Sequence, residues 1–213
     1  MIFNIYKPIG LTSFSIVKAV KKITEEKKVG HGGTLDPFAE GVLIIGTGKD
    51  TKKLYKITNL DKSYVALLKL GSVTDTLDIE GEIVETARIP NITKMKIQET
   101  LKTFQGFSMQ IPPMYSAKRI NGKRLYKLAR KNITVKREPS KINIHEIKFL
   151  DYSQDQIRFQ VTCTKGTYIR VLGSDIAKKL GTLGHLIALK RTSIGNYSID
   201  DSTTIDNLRL SWK

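Results

Sequence analysis

Cysteine is nearly absent from this chain: Cys163 is the single thiol among 213 residues. One thiol excludes a disulfide framework and any multi-cysteine zinc site. The expected role of Cys163 is that of a small buried strand residue in a reducing compartment. Imidazole is scarce too, and none of His31, His145 and His185 stands at metal-ligand spacing to another or to the cysteine. No metal and no cofactor are expected. No apolar run approaches the roughly twenty residues of a membrane span. The start, Met1-Ile2-Phe3-Asn4-Ile5-Tyr6-Lys7, has neither the charged opening nor the long apolar core of a secretory signal. A soluble, cytoplasmic protein is therefore expected. There is no glycine loop followed by Lys-Ser/Thr for nucleotide phosphates and no nucleophile elbow for acyl transfer.

Acidic residues are in deficit: 20 Asp and Glu face 36 Lys and Arg, a net charge of +16. The deficit is concentrated. Between Glu99 and Glu138 there is no acid, whereas Lys102, Lys118, Arg119, Lys123, Arg124, Lys127, Arg130, Lys131, Lys136 and Arg137 all fall there. A solvated helix face normally interleaves both signs. A one-sign stretch of this length instead favours phosphate binding, with a polyanion as the first candidate partner and an anionic membrane surface as the second.

With 40% hydrophobic and 26% charged residues the chain is globular and long enough to bury a core. Ile2–Tyr6 reads as a strand, and Thr12 or Ser13 caps a helix with Ile16, Val17, Val20 and Ile23 inward. Val42–Ile45 is a short buried strand, Ser63–Leu70 a second, and Thr93 opens a helix along Ile97, Leu101 and Phe104. Lys123–Lys131 predicts a short helix. Ile142, Ile144, Ile147 and Phe149, then Ile157, Phe159, Val161 and Cys163, predict two alternating strands with His145 outward. A helix runs through Ile176 and Leu180 to Gly181, Leu186–Ile194 is a late strand, and the tail, which ends at Lys213, places a last helix after Ser202 or Asp206. Helices and strands mix without regular alternation, so the fold class is α+β with a mixed, mainly antiparallel sheet. One domain over residues 1–213 is expected, with the basic window at about 105–140 as an excursion.

The most informative segment is Gly30-His31-Gly32-Gly33-Thr34-Leu35-Asp36-Pro37-Phe38-Ala39-Glu40-Gly41-Val42-Leu43. Glycines at this density are costly to order, so such a loop implies that something approaches its backbone closely. Asp36 sits in it beside an imidazole and ahead of Pro37, placed for chemistry more than for packing. Tyr64 in Lys62-Ser63-Tyr64-Val65 and Arg170 in Gly166-Thr167-Tyr168-Ile169-Arg170 complete the set of residues suited to chemistry.

Together these motifs resemble the TruB family of tRNA pseudouridine synthases. The resemblance runs through Tyr6-Lys7-Pro8, Gly30–Leu43, Asp61–Tyr64, Leu70–Thr76, Asp78–Gly81, Ile111–Ala117, Gly122–Tyr126, Lys165–Arg170 and His185–Arg191. It implies isomerisation of uridine 55 in the T-arm loop of tRNA, with Asp36 as the catalytic aspartate, Arg170 paired with it, and Tyr64 stacked on the target base. His31, Tyr168, Leu189 and Lys7 match further substrate-binding positions. The basic window matches a mobile insertion clamping the T-loop, with Lys118, Arg119, Lys123, Arg124, Lys127 and Arg130 as its RNA contacts. The resemblance further implies a stand-alone monomeric enzyme without an obligate protein partner, ending near Lys213 without the C-terminal PUA-type domain of many members. The glycines then read as clearance for a flipped uridine. Two other readings are a non-catalytic RNA-binding or tRNA-folding module, and the same chemistry on another RNA.

Overall fold

A computed structural model describes residues 1–120 and 122–212. The chain opens with β1 (Ile2–Lys7), α1 (Ser13–Thr24), β2 (Val29–His31), β3 (Glu40–Thr47), α2 (Leu54–Thr58) and β4 (Lys62–Leu70). It continues with β5 (Ser72–Thr74), β6 (Ile83–Thr86), α3 (Lys94–Lys102) and β7 (Gly106–Gln110). The basic window holds β8 (Arg119–Ile120), β9 (Lys123–Arg124) and α4 (Leu125–Ala129). Then come β10 (Ser140–Ser153), β11 (Gln156–Cys163), α5 (Ile169–Lys179), β12 (Gly184–Ile194), β13 (Tyr197–Ser198) and α6 (Ile205–Ser211). The class is α+β, and nine strands belong to a mixed, mainly antiparallel sheet. No described helix is long and apolar enough to cross a membrane.

Two compact units are formed, one by Met1–Val65 with Leu189–Lys213, the other by Ala66–Ala188. In the first, β3 is flanked by antiparallel β1 and β2 and pairs in parallel with β12 through Lys190↔Glu40 and Arg191↔Gly41. The apolar run Val42–Ile45 reflects burial of β3 on both faces. Leu43 and Ile45 join Ile5, Ile16, Val17, Val20 and Leu208, while Val42 and Ile44 join Leu54, Ile57 and Ile194. Thr12 caps α1 by accepting from Ser15 N at 3.0 Å. In the second unit, β10 pairs antiparallel with β11 on one side and β7 on the other. Cys163 is buried at the end of β11.

Two elements differ from expectation. The stretch Lys123–Lys131 is not one helix: Lys123 and Arg124 pair with Ile120 and Arg119, and helix begins at Leu125, because Arg124 is extended at φ −72°, ψ 135°. The alternation in β10 breaks between Ile144 and Ile147, where a register shift at His145 and Glu146 turns both outward and returns Ile147 to the core. The last helix follows Ser202 as expected, starting from a Thr204 cap and ending at Ser211.

Candidate active site

Asp36 belongs to the first unit, and the residues on either side of it are fastened. Ser13 Oγ donates to Leu35 O at 3.0 Å and accepts from Leu35 N at 2.9 Å. Pro37 O accepts from Gly10 N at 2.9 Å, and Asp36 O accepts from Ala39 N at 3.1 Å. Leu35, Phe38 and Ala39 are buried, leaving Asp36 half-buried between anchored neighbours. A carboxylate held in this way loses little freedom when a substrate arrives, which is the positioning a catalytic carboxylate requires.

Two buried cations brace the loop. Lys7, fully buried at the end of β1, donates to Pro8 O at 2.9 Å, Leu11 O at 2.6 Å and Pro37 O at 3.3 Å. Arg191, 1% exposed on β12, donates from Nε to Val42 O at 2.7 Å, from Nη1 to Thr34 O at 3.3 Å and from Nη2 to Gly33 O at 3.2 Å. Among the described residues no carboxylate pairs with Arg191, so carbonyl dipoles carry the compensation for its buried charge. Gly41 makes this arrangement possible. Its φ is +110°, and a Cβ there would stand 2.2 Å from Arg191 O. Elsewhere in the segment, a Cβ on Gly30 or Gly32 would lie 3.3 Å from Leu54 or 3.1 Å from Ile57 of α2. At Gly30, Gly32 and Gly41 the close approach is to α2 and β12.

Tyr64 is buried on β4, Leu189 is buried on β12, and half-buried His31 ends β2 opposite Ile45. Glu40, near the end of the glycine segment, joins β1 to β12: it accepts from the Tyr6 hydroxyl and pairs with Lys190 at 2.8 Å. Burial, then the hydrogen bond to Glu40 and its charge, push the Tyr6 hydroxyl up to about 12. Burial raises the Glu40 carboxyl, but the hydrogen bonds from Lys190 and Tyr6 outweigh it and hold Glu40 below its ordinary range.

In the second unit, three sequence motifs meet at Arg170. It lies in the first turn of α5 and is 3% exposed. Its Nη1 donates to Thr76 O at 2.6 Å and pairs with Asp78 Oδ2 at 3.3 Å, and its Nη2 donates to Tyr115 O at 2.8 Å. Asp78 is itself oriented, its Oδ1 accepting from Thr76 Oγ1 at 2.7 Å and Glu80 N at 3.0 Å. Gln110 fixes the start of α5 by exchanging two hydrogen bonds with the Tyr168 backbone, at 2.8 and 3.1 Å. The Tyr115 hydroxyl is raised by its hydrogen bond to Asp75, with burial adding to the effect.

Of the residues expected to contact RNA, Arg119, Lys123, Arg124, Lys127 and Arg130 are exposed. Lys118 is half-buried and donates to Ser140 Oγ at 2.8 Å. Arg124 and Arg130 flank the Tyr126 ring at 6.0 and 5.6 Å, and the hydrogen bond from Arg124 lowers the Tyr126 hydroxyl. Sequence reasoning assigned no role to Arg191 or Asp78. Asp78 carried a signal, a Thr-x-Asp-x-Glu run that favours side-chain-to-backbone bonding in a turn. Arg191 carried none, because in a Lys-Arg-Thr-Ser run within the strand it reads as a solvent-facing residue.

Residues 21–169 match the family model described as TruB family pseudouridylate synthase, N-terminal domain. The chain belongs to the TruB family. It is 47% identical to the tRNA pseudouridine synthase B of Clostridium tetani (strain Massachusetts / E88) over 207 residues, 97% of this chain and 72% of that protein. It is 43% identical to the tRNA pseudouridine synthase B of Hydrogenovibrio crunogenus (strain DSM 25203 / XCL-2) over 96% of this chain and 68% of that protein. Among solved structures, it matches a chain of a Cbf5–Nop10–Gar1 complex with TM-score 0.77 and 30% identity, over 98% of this chain and 53% of that one. It also matches a chain of an H/ACA RNP bound to a substrate RNA containing 2′-deoxyuridine, with TM-score 0.73, 28% identity, and 98% and 52% coverage. This member of the family therefore spans about half the length of those solved chains.

Proposed function

We propose that this chain converts uridine 55 in the T-arm loop of tRNA to pseudouridine, with Asp36 as the acting carboxylate. Membership of the TruB family supports the chemistry, and the relatives named tRNA pseudouridine synthase B support the substrate. The observation that carries the role of Asp36 is its suspension between Leu35 and Pro37, both tied to β1, α1 and the turn joining them.

In the reaction the N1–C1′ bond breaks, uracil rotates, and a C5–C1′ bond forms; C5 then loses its proton and N1 gains one. Glycoside hydrolysis commonly uses two carboxylates because its leaving group needs an acid. Uracil departs as a delocalised anion, so one carboxylate suffices. Asp36 either attacks C1′ or removes a proton from C2′, and the residues present are compatible with both. Tyr64 gives uracil a flat wall during rotation, and its hydroxyl assists removal of the C5 proton. Arg170 contributes a cation whose direction is set by Asp78 and two carbonyls. His31 fills the space left by the flipped nucleotide, and Tyr168, Leu189 and Lys7 are further substrate-binding positions in this reading. The exposed cations of the basic window hold phosphates of the T-arm.

Purified protein incubated with an unmodified tRNA transcript, followed by carbodiimide labelling and primer extension, tests this reading. One new stop at position 55, absent from a transcript with cytidine there, is expected. No stop, or a stop only at other uridines, overturns it.

A further inference from the structure

Helix α1 has an outer face for which the chemistry above has no use. Its inner side, Ile16, Val17 and Val20, is buried in the core of the first unit. Outside, Phe14, Lys18, Lys21 and Lys22 recur at the four-, seven- and eight-residue intervals that place side chains on one stripe. All four are exposed, Phe14 by 61%, and the Lys18 ammonium stands 5.1 Å from the Phe14 ring centroid. No acidic residue occurs from Ser13 to Thr24, and none of the three lysines forms an ion pair among the described residues. An exposed helix face of one sign, with no ion pair among the described residues, is complementary to a polyanion.

The stripe begins beside the catalytic loop. Ser13, which precedes Phe14, holds both backbone groups of Leu35, the neighbour of Asp36. From Phe14 to Lys22 the helix rises about 12 Å, room for roughly three nucleotides at a stacked rise of ~3.4 Å. A nucleotide offers the two complementary groups, a flat π-face for the aromatic ring and a phosphate for the ammonium.

We propose that this face of α1 is an RNA-contact strip separate from the basic window, in which Lys18, Lys21 and Lys22 track successive phosphates and Phe14 stacks on an unpaired base. The inference rests on the RNA-modifying reading and adds to it a path by which the strand flanking the target leaves the site. A membrane surface is the weaker occupant, because a membrane-bound helix inserts its apolar face and that of α1 is already in the core.

The test is binding of a fluorescent T-arm stem-loop, measured across salt concentration, by the full chain and by K18Q/K21Q/K22Q. The log–log slope is expected to fall by about two to three in the triple variant, near 0.7–0.9 for each phosphate no longer neutralised. Equal charge removed as K94Q/K96Q/K178Q is expected to change it by less than about one. A 2-aminopurine scanned through the loop is expected to be quenched at one position by wild type and released by F14L, a substitution that leaves the helix intact. An unchanged slope, an equal fall in the control variant, or no position sensitive to F14L overturns the strip. Anionic phosphatidylglycerol vesicles binding the chain through these lysines, with RNA binding unaffected, overturns it in favour of a lipid surface. Wild-type protein that does not bind the stem-loop at all refutes the tRNA reading itself.

Discussion

Arg191 shows how a single buried residue shapes the candidate site. Its guanidinium ties the backbone at Gly33, Thr34 and Val42 from the inside of the first unit, with no carboxylate partner among the described residues. Removing it orphans three carbonyls whose hydrogen bonds come from a charged donor, a class worth about 1.5–3 kcal/mol each before compensation. Arg191→Met is expected to lower stability by about 3 kcal/mol in urea titration. In the folded fraction it is expected to reduce pseudouridine formation more than RNA binding, since the loop carries Asp36. Arg191 and Gly41 are both legible as letters in the sequence. That they touch across β12 and β3 is not, because the pairing is parallel and joins strands from opposite ends of the chain.

At the scale of elements, the link from β1 through β3 to β12 depends on Tyr6, Glu40 and Lys190. The Tyr6 hydroxyl is raised from 10.0 to about 12, so the folded state keeps the phenol protonated where the unfolded chain has lost its proton. The resulting stability is fully present below pH 10 and declines as the pH rises towards about 12. Thermal unfolding of wild type and Tyr6→Phe between about pH 9 and about pH 11.5 is expected to show a steeper decline for wild type; parallel curves would contradict the link. Strands β1, β3, β4, β10, β11 and β12 were readable from apolar runs and alternation, and the Thr12 and Thr93 caps from residue type. The start of α4 was not, since Lys123 and Arg124 suit a helix by propensity and are taken into a hairpin with Arg119 and Ile120.

For the whole molecule, the charge of +16 and its gathering in an acid-free window were visible in composition, and the exposed cations there agree with a surface built for a polyanion. Neutralising Lys123, Arg124 and Lys127 together is expected to weaken tRNA binding and flatten its salt dependence, by about one log–log unit for each phosphate these side chains neutralise. An unchanged slope would remove the window from the interface. The motifs converging on Arg170 were legible as blocks, but its pairing with the carboxylate of Asp78 emerged from the folded second unit. Chemistry at Asp36 is tested most directly by Asp36→Asn, assayed for pseudouridine in single turnover and for tRNA affinity in parallel. Loss of product with affinity kept within about tenfold, roughly 1.4 kcal/mol, is expected. Turnover near the wild-type rate by Asp36→Asn would contradict a catalytic role for this residue.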